Sequence, residues 1–256
     1  MARVLLLDIE TSFAVLGGWG LHNQNFGLSQ ILEHPRIIMV GYRWYGDERT
    51  AHVVSEYHHG REFMLGKLRD LLDEADVVGG WNSRSFDEVW LTGEFLREGL
   101  EVPSPWKSLD YYKVSKKAAR FISHKLQYFA EALLEDSKVS TGGFQLWKDC
   151  LWTEDEERKK RAWNKMRRYC RHDVDLLPGL HEKLRPYFPS NLNLAAMSGN
   201  FSFCCPVCES DHIQRRGSAV KGSRRYARFQ CQDCGKWFSD NKMLEGEASP
   251  VGSIAR

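Results

Sequence analysis

The chain has 256 residues, enough for one sizeable core and a small appendage; its 36 Lys and Arg nearly balance 34 Asp and Glu, and 42% of its residues are hydrophobic, which excludes a disordered or acidic-tail protein. No apolar run approaches the ~20 residues of a membrane span, and MARVLLLDIE meets two carboxylates before a signal-peptide core is complete, so no membrane partner and a cytoplasmic location are expected. Seven cysteines, four of them in two CxxC pairs, point to a metal site in a reducing compartment.

Three segments rich in β-branched and aromatic residues come first: Arg3 to Ile9, Arg36 to Tyr45 and Ala51 to Tyr57. The short polar turn GDERT between the last two predicts antiparallel pairing. Met64, Leu68, Leu71, Leu72 and Ala75 then recur at helical spacing, followed by a strand over 76–81 and a helix opening near Phe86. A strand near Ser108 to Tyr112 precedes a helix with the apolar stripe Leu126, Phe129, Ala130, Leu133 and Leu134. In the last long helix Thr153 and Glu156 form a capping-box pattern, and Pro178 is expected to kink or end it. Three hairpin strands followed by alternating helices and strands predict an α/β fold, the ribonuclease H-like mixed five-stranded sheet flanked by helices, over residues 1–187. Residues 188–200 carry Pro, Ser, Asn and Gly without periodicity and read as a linker.

Several carboxylates stand where a core should be. Asp8 and Glu10 end the most apolar strand, and their two-residue spacing sends both side chains from one face. Alone, such a pair is as readily a strand-end turn. Asp87 follows the strand DVVGGW inside NSRSFD, where it also reads as a helix N-terminal acid. Asp173 continues the stripe Met166, Tyr169, Cys170, Leu177, so it lies on the face its helix must bury, and a cation is the simplest partner for a buried carboxylate. Tyr169 precedes it by one turn and projects to the same side. Cys150 and Cys170 read as buried small hydrophobes.

In the chain order DxE, NxxxFD and YxxxD, these residues resemble the DEDDy branch of 3′–5′ exonucleases, over roughly residues 3–187. The segments WGLHNQN (19–25), SHKL (123–126), TGGFQLW (141–147) and KLRP (183–186) look like those of phage-encoded exonucleases related to the proofreading domain of family B DNA polymerases. The related histidine branch would place His five residues before the last acid, and Arg168 stands there. The resemblance implies two Mg²⁺ or Mn²⁺ ions: Asp8, Glu10 and Asp173 would hold the first, Asp8 would bridge to the second, and Asp87 would act through that ion's water shell. It implies that Tyr169 orients the attacking water, that the Thr11 backbone meets the 3′-terminal nucleotide, and that Asn82 and Phe86 touch substrate.

His124 and Lys125 follow Ser123, a candidate cap, and would put cations at a helix start where an arriving phosphate relieves their conflict with the dipole; they read equally as surface charge. Trp19, Asn23, Gln24 and Asn25 are candidates for a 3′-end channel.

Cys205, Cys208, Cys231 and Cys234 form two CxxC pairs 22 residues apart, the spacing of a zinc ribbon, and the ~55 residues after the linker are too few to fold readily without such a staple. Cys204 is an alternative to Cys205. The loop QRRGSAVKGSRRYARFQ (214–230) between the pairs holds Arg215, Arg216, Lys221, Arg224, Arg225 and Arg228, with Tyr226 and Phe229 and no acid. Cations interleaved with rings suit a single-stranded nucleic acid; a solvated hairpin is the plainer account.

Together these readings predict a 3′–5′ exonuclease domain (1–187), a linker (188–200) and a zinc-ribbon nucleic-acid-binding module (201–256). The expected partner is single-stranded or 3′-ended nucleic acid, DNA over RNA, with a replication or repair protein as a further one. The length leaves no room for a polymerase domain beside it, so a free-standing nuclease is expected. An exoribonuclease, a structure-selective endonuclease on the same sheet and a non-catalytic nucleic-acid-binding adaptor remain the alternatives.

Overall fold

A computed structural model describes residues 2–20, 22, 24–136 and 142–244. The strands are β1 (Val4–Thr11), β2 (Val15–Leu16), β3 (Ile31–Glu33), β4 (Ile37–Trp44), β5 (His52–Ser55), β6 (Val77–Gly80), β7 (Lys107–Asp110), β8 (Ile213–Lys221), β9 (Arg224–Cys231) and β10 (Trp237–Met243). The helices are α1 (Glu56–His59), α2 (Arg61–Asp73), α3 (Asp87–Glu98), α4 (Tyr111–Ala118), α5 (Leu126–Leu134), α6 (Phe144–Leu151), α7 (Glu156–Leu184) and α8 (Leu194–Met197). Among the described residues, no helix is long and apolar enough to cross a membrane.

The first fold unit is the expected mixed sheet, in the order β5-β4-β1-β6-β7. β1 pairs antiparallel with β4 and parallel with β6, and β4 pairs antiparallel with β5. Val4 to Leu7 of β1 are fully or almost fully buried because helices cover both faces. On one side Leu5, Leu7 and Val78 meet Met64, Leu68 and Leu72 of α2 and Phe95 of α3; on the other, Val4, Leu6 and Val77 meet Val174 and Leu177 of α7.

Two local geometries set the site. Parallel pairing of β1 with β6 stops at Leu6 opposite Gly79, so β1 runs on to Thr11 with its β6-side edge unpaired. At Gly41 of β4, α7 sits directly on the sheet: a Cβ there would lie 2.8 Å from Val174 Cγ2 and 3.0 Å from both the carbonyl oxygen and the sulfur of Cys170. Only glycine admits this approach.

The structure corrects three expectations. α7 opens at Glu156 under an Asp155 cap, which accepts from the Arg158 N–H at 3.0 Å, whereas the Thr153 hydroxyl accepts from Asp155 N at 3.4 Å. Pro178 lies inside α7, which continues to Leu184, because buried Leu176, Leu177, Leu180 and Leu184 hold the helix against the core across the missing hydrogen bond. Residues 188–200 are packed rather than a free linker: Phe188, Leu192, Leu194 and Ala195 are buried, and α8 is capped by Asn193. The segment between the CxxC pairs forms the hairpin β8–β9, extended by β10 into a three-stranded antiparallel sheet, as a ribbon module requires.

The small sheet shares the core of the large one. Cys205, Val207 and Cys231 pack in the same apolar cluster as Val4, Leu6, Tyr111, Leu184 and Phe188. The buried Lys236 ammonium donates to the carbonyls of Phe188 and Pro186, and Leu194 N–H donates to the Pro206 carbonyl at 2.7 Å.

Candidate active site

The unpaired edge of β1 explains how α3 reaches the site. Asp87, the first residue of α3, accepts the Ile9 N–H at 2.9 Å, a donor that no strand partner takes, and so comes to lie between the Asp8 and Glu10 positions. The chain turns toward α3 at Asn82, whose left-handed conformation (φ 65°) is tolerated by Asn and whose N–H bonds Asp110 at 3.2 Å. α7 brings the remaining acid: seated on Gly41, it directs Asp173 and Tyr169 to the same acids of β1.

Glu10 and Asp87 are buried, and Asp8 and Asp173 are half-buried, so Asp173 is more open than its stripe suggested. Burial first, then the charges of Asp87, Glu10 and Asp173, push the Asp8 carboxyl well above its usual range. Glu10 is pushed up to about 8 by burial and by Asp173 and Asp87. Asp87 rises to about 7 through burial, against the stabilising hydrogen bonds from its own and the Ile9 backbone. Burial also raises Tyr169, helped by the charge of Asp173 and by a hydrogen bond with it, so the phenol keeps its proton at neutral pH.

This clustering makes the metal-free fold pH-sensitive. The unfolded chain releases these protons near pH 4, whereas the folded chain holds them to about pH 7–8. Between those limits the folded state binds more protons, and its stability falls as pH rises. After dialysis against divalent-free buffer, Tm is expected to decline between pH 5 and 8, and added Mg²⁺ or Mn²⁺ to flatten the profile. A pH-independent Tm without metal would refute the carboxylate cluster.

Cys170 is buried as expected, and what sequence reasoning missed is its place beside the acids. Its sulfur lies within 4.8 Å of carboxylate oxygens of both Asp8 and Glu10, and it is fully buried. Its position three residues before Asp173 on one helix face was the available signal. Burial and the neighbouring acids keep it a thiol.

The expected substrate contacts come from separate elements. Thr11 ends β1, where its carbonyl accepts Trp147 Nε1–H at 3.0 Å. Phe86 precedes Asp87 with its ring partly exposed beside Trp90. α5 starts at Leu126 rather than at His124, and Ser123 accepts from Lys125 N at 3.3 Å without capping the helix. His124 is half-buried against Phe129 and Phe121, 3.2 Å from the Ser115 hydroxyl, while Lys125 is exposed. Trp19 is fully exposed, with its N–H on Gln24; Asn23 and Thr141 lie outside the described residues.

A second candidate centre lies in the ribbon. The sulfurs of Cys205, Cys208, Cys231 and Cys234 all lie within 4.8 Å of one another, with the pairs Cys205–Cys234 and Cys208–Cys231 at 3.6 Å. A tetrahedron with Zn–S bonds of about 2.3 Å has edges of about 3.8 Å, so this set could hold zinc. Cys204 stands outside it. Arg215, Arg216, Arg224 and Arg225 are exposed on β8 and β9, away from the sulfurs, and Arg225 also donates to Ser218 at 3.0 Å.

No protein-family model matches the chain, and no curated protein does. Among solved structures it is similar to a family B DNA polymerase from the hyperthermophilic archaeon Pyrobaculum calidifontis, with a TM-score of 0.53 and 15% identity over 89% of this chain. The chain spans 32% of that polymerase chain, and the likeness is one of fold.

Proposed function

We propose that the protein is a divalent-metal-dependent 3′–5′ exonuclease that hydrolyses single-stranded or frayed DNA to nucleoside 5′-monophosphates, with the C-terminal ribbon holding substrate. The observation that carries this reading is the mutual elevation of the acids: Asp8 is raised by Asp87, Glu10 and Asp173, which come from two other elements and its own strand. Such repulsion between buried like charges is an arrangement that cations resolve. An all-oxygen carboxylate set fits Mg²⁺ or Mn²⁺.

Asp8, Glu10 and Asp173 would hold one ion, with Asp8 shared with a second and Asp87 reaching it through water. Bound ions of this kind supply the Lewis acidity that activates water and the counter-charge for the phosphodiester transition state. Tyr169, held by Asp173 and still protonated, positions the attacking water through its hydroxyl. Thr11, Asn82, Phe86, His124 and Lys125 border the path of the terminal nucleotide. Phe86 offers a face for its base, and Lys125 a charge for its phosphate. The ribbon's exposed Arg215, Arg216, Arg224 and Arg225 would track the strand behind it. A fold likeness to a DNA polymerase supports DNA over RNA.

The deciding assay uses 5′-labelled and 3′-labelled single-stranded DNA and RNA of one sequence with Mg²⁺. A 5′-labelled DNA is expected to shorten stepwise, while a 3′-labelled DNA releases labelled mononucleotide from the first turnover. Internal cleavage, degradation from the 5′ end, or faster turnover of RNA would overturn the assignment.

A further inference from the structure

The outward face of α7 carries a charge pattern that the carboxylate site does not use. Between Glu157 and Asp173 the helix has eight lysines and arginines and no acid. Ala162, Trp163, Met166 and Cys170 take the buried face, so the cations gather on the other side. Near the helix start they are paired, Arg158 with Asp149 at 2.8 Å and Lys159 with Glu156 at 3.2 Å. Further along the pairing stops. Among the described residues, Arg161, Lys165, Arg167 and Arg168 have no acidic partner, and together with Asn164 and Arg171 they line a shallow depression.

Arg161, Lys165 and Arg168 follow one another at intervals of four and three residues, and Arg167 and Arg171 at four. Like charges at those spacings destabilise a helix. Among the described residues no acidic group relieves this repulsion, and an external polyanion would relieve it. The row extends about 15 Å along the helix, and its far end adjoins Tyr169 and Asp173.

We propose that this face of α7 binds the phosphate backbone of duplex nucleic acid, the double-stranded stretch that lies behind the 3′ end presented to the carboxylates. The absence of rings selects the duplex. Sites for single strands combine cations with aromatic platforms on which bases stack. The ribbon has such pairs, Arg228 4.9 Å over Trp237 and Lys221 5.2 Å over Tyr226, and the lining of the α7 depression has no aromatic side chain. A row of cations fixed on one rigid helix reads charge and shape but no base. The inference rests on the exonuclease reading only for the placement of the 3′ end.

The test compares the full chain with an Arg161→Gln, Lys165→Gln, Arg168→Gln triple variant. Glutamine keeps the helix propensity, and removing repulsion should leave Tm unchanged or raised, which separates lost binding from lost fold. Anisotropy without added divalent ion measures binding to a duplex with a short 3′ overhang and to a single strand of equal length. Duplex affinity should fall tenfold or more, its slope of log K against log salt should shrink by about 2.7, or 0.9 for each of three contacts, and single-strand affinity should change less than twofold. A variant with Arg215, Arg216, Arg224 and Arg225 changed to Gln should show the reverse preference. Unchanged duplex binding, or equal loss on both ligands, overturns the proposal. Hydrolysis plays no part in this measurement, so a chain that binds duplex through α7 without nuclease activity would sink the exonuclease reading alone.

Discussion

Asp8→Ala and Asp173→Ala are each expected to lower Mg²⁺-dependent nuclease turnover by about 10³-fold or more, because losing a ligand to a catalytic cation removes several kcal/mol of transition-state stabilisation. The fold should survive both changes. Asp8 is raised by its neighbours and Asp173 is one of the charges that raise Asp8 and Glu10, so removing either relieves repulsion, and without metal the variants should melt at or above the parent temperature at pH 8. That opposition, lost turnover with retained or increased stability, separates a cation site from a structural cluster. Tyr169→Phe belongs to the same series with a smaller loss, about 10–100-fold, since it deletes one positioning hydrogen bond and spares the carboxylates. Parent-level turnover in either alanine variant would remove the acids from the chemistry, and an unchanged rate in Tyr169→Phe would return that ring to packing.

The second large effect concerns zinc. Sequence reasoning predicts that Cys208→Ser unfolds the ribbon and spares residues 1–187. The shared core changes that expectation. Cys205, Val207 and Cys231 fill the same cluster as Val4, Leu6 and Leu184, and Lys236 is anchored on the Phe188 and Pro186 carbonyls. Loss of the metal therefore uncovers part of the large sheet's own apolar surface. The parent chain should retain one zinc after dialysis against magnesium, and Cys208→Ser should lower Tm of the whole chain by roughly 10 °C or more, since each kcal/mol moves a domain of this size by about 2–4 °C. Two separate transitions, with the larger one unmoved, would refute the common core; a zinc content near zero would refute the ribbon.

The parts of the molecule that were legible in the sequence are those where one residue pattern has one physical outcome. The run VLLLDIE is too apolar for a surface strand and ends in two acids on one face, so both the central strand and its pair of clustered acids can be read from it. The CxxC spacing is similarly restrictive. Other features depend on tertiary context. Phe188, Leu192 and Leu194 are spaced irregularly among Pro, Ser and Asn, and only the docked ribbon shows that they are core. Pro178 carries a local breaking signal that packing of Leu176, Leu177 and Leu180 overrides. Cys170 was assigned by composition to the core, and it is there, but sequence alone does not show that the same core wall borders Asp8 and Glu10. The hydrogen bond from Ile9 to Asp87 joins residues 78 positions apart and leaves no trace in either local pattern.

The missing side chain at Gly41 has a consequence for how the site holds its size. Two of the acids are on a strand and a third is on a helix, and the gap between those elements is set by α7 resting on the bare main chain of Gly41 through the Val174 methyl and the carbonyl and sulfur of Cys170. A side chain on the strand would be a spacer able to change rotamer and let the gap breathe; the bare backbone of Gly41 offers none. The separation of Asp173 from Asp8 and Glu10 is thus a calibre tied to how Val174 and Cys170 seat on this one residue. Even an added methyl group at this one position would wedge helix from sheet and widen the opening between the acids.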